Sequence, residues 1–140
     1  MQGREIADRL ALRALADRYA RIPDDRDYAL VDQVFAGDAL VIGPDFRLEG
    51  LEQIRAGMRG IERYTATQHC MGQQTVEIAG DLATGEVYCV AYHVLETGAG
   101  RERIDWGIRY QDRYRREPVG WRVTRRELRI VWRTRQQLAD

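Results

Sequence analysis

The chain has 140 residues, 44% apolar and 31% charged, and its 22 basic and 22 acidic side chains balance to a net charge of zero. That profile fits one globular unit, residues 1–140, around a single core. There is no Lys, Ser or Asn, and all 22 basic residues are Arg, so a lysine Schiff base, a P-loop lysine and any serine-nucleophile triad are excluded whatever the fold.

Charge is unevenly placed. Residues 1–100 hold 10 Arg against 16 acids and residues 101–140 hold 12 Arg against 6, so the two parts carry about −6 and +6. Such asymmetry can mark a nucleic-acid surface. Here acids interrupt the C-terminal arginines at strand-like spacing, so they are expected on exposed strand faces, paired with the acidic part, and no nucleic-acid partner is expected. Residues 1–12 mix Arg and Asp with apolar residues and read as neither a secretory nor a spanning segment, which points to a cytoplasmic protein without a membrane partner. Cys70 and Cys89 follow no metal-ligand spacing and read as reduced, buried thiols.

In chain order, Ile6, Leu10, Ala14, Leu15, Tyr19 and Ile22 recur at helical spacing and predict an amphipathic helix over 5–22, ended by Pro23. Asp27 is placed to cap a second helix over 28–35, closed by Gly37-Asp38. Residues 39–42 and 46–49 read as a small hairpin around Gly43-Pro44-Asp45, and residues 51–61 as a third helix. From 68 onward the pattern is strand-like, with strands over 68–78, 82–97, 103–116 and 121–133 joined by tight glycine-containing turns. Antiparallel strands of this length twist strongly and should curl.

Alternation assigns faces. Trp106, Ile108, Tyr110, Asp112 and Tyr114 share one parity and are expected to point inward, which leaves Asp112 a carboxylate among aromatics in need of a partner. In the last strand Trp121 and Val123 share one parity and Leu128, Ile130 and Trp132 the other, so a bulge is expected near 125–127. Helices first and a curled sheet afterwards give an α+β domain whose helices pack on a concave sheet face.

The histidines, His69 and His93, are the only two in the chain, and they fall on neighbouring predicted strands. The order of Tyr19-Ala20-Arg21, Asp24, Asp27, Phe35, Asp38-Ala39, Thr67-Gln68-His69, Gly80-Asp81, Tyr110-Gln111-Asp112-Arg113 and Gly120-Trp121-Arg122 resembles the SnoaL-like and scytalone-dehydratase-like branch of the nuclear transport factor 2-like superfamily. The resemblance implies a cone of curved antiparallel sheet closed by N-terminal helices. It also implies an Asp24–His69 pair, a second histidine at His93, a tyrosine at Tyr19, and eliminations that need no cofactor. The sequence departs from scytalone dehydratase in lacking its serine and asparagine and in having Pro23 where that family has a tyrosine. The asparagine of limonene epoxide hydrolase is also missing, so epoxide hydrolysis by that scheme is not expected.

The catalytic set expected on this basis is Asp24, His69 and His93, with His69 as general acid/base and Asp24 accepting its other ring N–H. His93 or the newly protonated His69 would protonate a leaving hydroxyl. Tyr19, Trp106, Tyr110 and Asp112 are expected to bind substrate, the two tyrosines by hydrogen-bonding a carbonyl as enolate charge develops. The leading expectation is a dehydratase-type lyase acting on a small hydrophobic cyclic or polyketide-like hydroxy-carbonyl compound. Isomerase or cyclase chemistry and a non-catalytic binding domain are the alternatives. No metal is expected, since two histidines lack a third ligand of suitable spacing. An exposed apolar sheet face points to a homodimer or homotrimer.

Overall fold

In a computed structural model, which describes residues 2–139, helices come first and one six-stranded sheet follows. Helix α1 (Gln2–Asp24) leads through a 3-10 turn (Tyr28–Leu30) into the short helix α2 (Val31–Val34), strands β1 (Phe35–Ile42) and β2 (Arg47–Glu49), helix α3 (Gly50–Met58) and a second 3-10 turn (Arg59–Arg63). The long strands are β3 (Ala66–Ala79), β4 (Leu82–Thr97), β5 (Gly100–Glu117) and β6 (Gly120–Gln137). Sheet order is β2-β1-β6-β5-β4-β3, with every neighbour antiparallel except β1 beside β6. The sheet is curved and unclosed, so the α+β cone inferred from sequence is the fold. Among the described residues no helix is long and apolar enough to cross a membrane.

Helix α1 buries Leu12, Leu15, Ala16, Tyr19 and Ile22 at helical spacing, as its pattern requires. Ile6 and Leu10, expected on that face, are exposed, and Asp8 turns inward instead. The reason is chemical. Asp8 accepts two hydrogen bonds from the Arg116 guanidinium (2.6 and 2.8 Å) and one from the Trp121 indole (3.0 Å), and these donors hold its carboxyl down at about 2.

Pro23 does not end the helix at Ile22 as expected. The steric bias before a proline is a preference, and it yields here because Ile22 and Pro23 are both buried and α1 closes two residues later, at Asp24. Arg26 takes a left-handed conformation (φ 53°), the Asp27 N–H donates to the Ile22 carbonyl (3.1 Å), and the Arg26 guanidinium donates to the Tyr64 carbonyl (2.6 Å). The second helix shrinks to the 3-10 turn and α2, and the Asp27 side chain makes no capping bond. Phe35, Gly37 and Asp38 belong to β1, because pairing beside β6 competes successfully with local helix propensity.

On the inner sheet face the rows Gly85–Asp112–Arg126, Val87–Tyr110–Leu128 and Cys89–Ile108–Ile130 run across β4, β5 and β6. The inward parity predicted for β5 is observed at Ile108, Tyr110, Asp112 and Tyr114. Strand β6 slips register twice, at Thr124 and at Val131. The first slip lies one residue ahead of the range expected for a bulge, and it turns Arg126 rather than Arg125 inward. Cys89 is buried, but Cys70 is exposed, contrary to expectation, because it sits on the outer face of β3 between inward His69 and Met71.

Arg126 answers the question posed by Asp112. It sits directly opposite on the neighbouring strand and donates from Nε to Oδ1 (2.8 Å) and from Nη2 to Oδ2 (2.7 Å), while the Tyr114 hydroxyl donates to Oδ2 (2.9 Å). Both charges are fully enclosed. Removing one partner of such a pair strands the other, whereas apolar replacement of both is often neutral. Asp112→Ala is therefore expected to lower unfolding free energy by about 3–5 kcal/mol in urea denaturation, and Asp112→Leu/Arg126→Met to leave it within about 1 kcal/mol of the parent.

Candidate active site

The last turn of α1 meets the start of β3 through Asp24. Its Oδ1 accepts the Thr67 hydroxyl (2.9 Å) and the His69 ring Nδ1 (2.8 Å), and its Oδ2 accepts the His69 backbone N–H (2.7 Å). Burial pushes this carboxyl up, but the His69 ring and backbone bonds and the Thr67 bond outweigh it and hold it below its ordinary value. An ionised carboxylate only accepts, so Nδ1 is the ring nitrogen that donates to it, and in the neutral ring Nε2 is then the nitrogen with the lone pair.

His93 also spends its Nδ1–H, on a backbone carbonyl. It is diagonal to His69 across the β3–β4 pairing, Thr67 being its direct partner, and the two rings lie 6.0 Å apart. Its Nδ1 donates to the Ile104 carbonyl (2.9 Å), and its ring is held between Tyr64 (4.7 Å) and Trp106 (4.6 Å). Burial, opposed by the Ile104 bond and aided by the nearby His69 and Arg63, holds its pKa below the ordinary histidine value. Neutral His93 thus keeps Nε2 as an acceptor, and both imidazoles line one cavity. The sequence-level option of His93 as proton donor conflicts with this tautomer, since its only N–H is spent on Ile104.

A cavity of about 380 Å³ lies against these rings, lined by Tyr19, His69, His93, Trp106, Ile108 and Tyr110 among others, with Arg63 and Arg133 also on its wall. Tyr19 bridges its parts: the ring lies 6.3 Å from that of His69 and 5.5 Å from that of Tyr110, both edge-on. Burial raises both phenol pKa values, that of Tyr110 most, so the hydroxyls remain donors. A second, apolar chamber of about 240 Å³ shares Tyr19 and Tyr110 with this cavity and is lined by Phe35, Ile54, Met58, Leu128 and Arg126 among others.

Of the residues expected from sequence, Tyr19, His69, His93, Trp106 and Tyr110 converge on this cavity, with Asp24 directly behind His69. Asp112 does not reach it. Its oxygens are taken by Arg126 and Tyr114, so its expected place among the substrate-binding residues is corrected to that of an anchor for Arg126. Sequence reasoning missed Thr67 as a third donor to Asp24, Tyr64 as a wall for His93, and Arg126. The parity change in β6 was the available signal for Arg126. Among the described residues no three His, Cys, Asp or Glu side chains gather as a metal site.

Residues 4–127 match the family model described as the SnoaL-like domain. The chain belongs to the SnoaL-like family. A relative from Mycobacterium tuberculosis (strain ATCC 25618 / H37Rv), an uncharacterized protein, is 31% identical to this SnoaL-like chain over 127 residues, which is 87% of the chain and 84% of the relative. Two solved structures share the fold, which is that of the nuclear transport factor 2-like superfamily. A scytalone dehydratase-like protein from Novosphingobium aromaticivorans superposes with a TM-score of 0.86 at 18% identity, covering 99% of this chain and 94% of that one. A type 2 hexachlorocyclohexane dehydrochlorinase gives 0.88 at 18% identity, covering 100% and 98%.

His93 gives this SnoaL-like protein a pH signature. Its folded pKa lies below its unfolded one, so the unfolded chain binds the extra proton first, and stability falls as pH drops below the ordinary histidine value of about 6.5. Urea denaturation between pH 7.5 and 5 is expected to show this loss, with a slope of at most about 1.4 kcal/mol per pH unit from this group. In His93→Gln the decline over the same range should be shallower.

Proposed function

We propose that this protein is a cofactor-independent lyase that removes water from a small hydrophobic cyclic hydroxy-ketone. The Asp24–His69 pair at 2.8 Å, set against a cavity of about 380 Å³, carries the reading. The Nε2 of His69 takes the proton from the carbon next to the carbonyl, and the C–H electron pair becomes an enolate. The Tyr19 and Tyr110 hydroxyls donate to the enolate oxygen as its charge grows. Asp24 stabilises the imidazolium through Nδ1–H without itself taking the proton. Collapse of the enolate forms the carbon–carbon double bond and expels the β-hydroxyl, which leaves as water with the proton carried by His69. The neutral His93 accepts the hydrogen of that hydroxyl at Nε2 and orients it, and Trp106 holds the His93 ring in place.

The test is a screen of cyclic β-hydroxy-ketones followed by ultraviolet absorbance of the conjugated enone. His69→Ala is expected to cut kcat/KM by about 10²- to 10⁴-fold. Asp24→Asn should also lower it, since a side-chain amide can no longer favour the Nδ1–H tautomer. Proton exchange next to the ketone without enone formation would replace dehydration by isomerase chemistry, and inertness of every ketone would overturn the enzyme reading.

Self-association belongs to the same reading. The outer sheet face exposes Tyr88, Val131 and Trp132 around a groove of about 300 Å³, and the Trp132 ring lies so close over Gly107 that a Cβ there would meet it at 2.1 Å. An apolar, pre-ordered strip of this kind suits a second copy of the chain. Trp132→Arg is expected to shift sedimentation from oligomer to monomer.

A further inference from the structure

Arg126 lines the inner chamber, and one of its nitrogens makes no hydrogen bond among the described residues. Arg126 is 2% exposed, and its Nε and Nη2 are both committed to Asp112. Its Nη1 has no hydrogen-bond partner among the described residues. The guanidinium lies 4.3 Å from the Tyr19 ring centre and 4.2 Å from that of Tyr110, so the rings hold it against displacement. Buried N–H groups are nearly always paired, and an unpaired one beside a cavity calls for an acceptor from outside the chain. The remaining wall, with Phe35, Ile54 and Leu128, is apolar.

We infer that this chamber is a second substrate subsite, which takes an apolar part of the molecule ending in a carbonyl oxygen and reads that oxygen with the Arg126 Nη1. The choice of a neutral acceptor follows from charge. Arg126 and Asp112 already cancel, so a carboxylate would enter without a net counter-charge, whereas a ketone brings a lone pair and no charge to desolvate. His69 and His93 do not line this chamber. The oxygen it reads is therefore remote from the reacting carbon, and the substrate carries a second carbonyl beyond the one that enolises. The inference rests on the dehydratase reading only in taking the bound ketone to be part of a substrate.

The experiment compares 1-indanone with indane, the same bicycle without the oxygen, by isothermal titration calorimetry. The parent is expected to bind the ketone at least about 10-fold more tightly, the scale of a hydrogen bond from a charged donor. Arg126→Met/Asp112→Leu should bring the ratio close to one. Arg126→Lys keeps a charge opposite Asp112 but withdraws Nη1, and should also reduce the ratio, which guards against a refolded chamber in the double variant. His69→Ala should leave the ratio intact, so failure of the dehydration assay and failure of this subsite are told apart. A ratio near one in the parent, or one unchanged in both Arg126 variants, would overturn the subsite. So would a ratio lost in His69→Ala and kept in the Arg126 variants, which would put the ketone on the dyad.

Discussion

Asp24 joins the helical half of the molecule to the sheet, and its position is demanding. A carboxylate in the last turn of a helix faces the negative end of the backbone dipole, and partial burial adds to that cost. Three donors from two residues of β3 offset both. For this to work α1 must run past Pro23 before turning, which it does through the left-handed Arg26 and the bond from Arg26 to the Tyr64 carbonyl. The same contacts that close the helix orient the His69 ring. At the other end Asp8 ties α1 to Arg116 and Trp121. The helix is thus pinned at two points 16 residues apart, roughly 24 Å along its axis.

Between those pins the interior is aromatic and aliphatic, and it admits charge only in pairs. Asp112 and Arg126 face each other across β5 and β6, and the Arg126 pKa stays raised because Asp112 outweighs the desolvation that would lower it. The pair organises its surroundings: Tyr114 donates to it, and Tyr19 and Tyr110 pack on the guanidinium. Those two tyrosines line both the histidine-lined cavity and the apolar chamber. Polarity is therefore graded along the inner face, from a carboxylate–histidine pair near α1's end, through two phenols, to a buried ion pair. Each level is held by hydrogen bonds or ring packing from strands of the same sheet, so the site rests on rigid elements rather than on loops.

Much of this was legible in the sequence. Period-two alternation in β5 placed Ile108, Tyr110, Asp112 and Tyr114 inward, and the parity change in β6 announced a bulge. The resemblance carried by Asp24 and Thr67-Gln68-His69 implied the Asp24–His69 pair, and the two lie 2.8 Å apart. The errors have a common source. Pro23, Asp27 and Gly37-Asp38 are strong local signals, yet the chain runs helix through the first, leaves the second without a capping bond and strand through the third, because each segment is stabilised by partners distant in sequence. Ile6 and Leu10 obey helical spacing but have no sheet beneath them, whereas Asp8 does.

The sequence by itself determined the class of fold, the inward faces of the strands and the kinds of chemistry open to the chain, since periodicity and residue types are local properties that survive any arrangement of the elements. Only the tertiary structure decided which nitrogen of each histidine is free, that Asp112 serves Arg126 rather than a ligand, and that the Arg126 Nη1 is left over. Those outcomes depend on hydrogen-bond directions and register between segments up to 45 residues apart, as between Asp24 and His69, and a slip of one residue in β6 would have turned Arg125 inward instead.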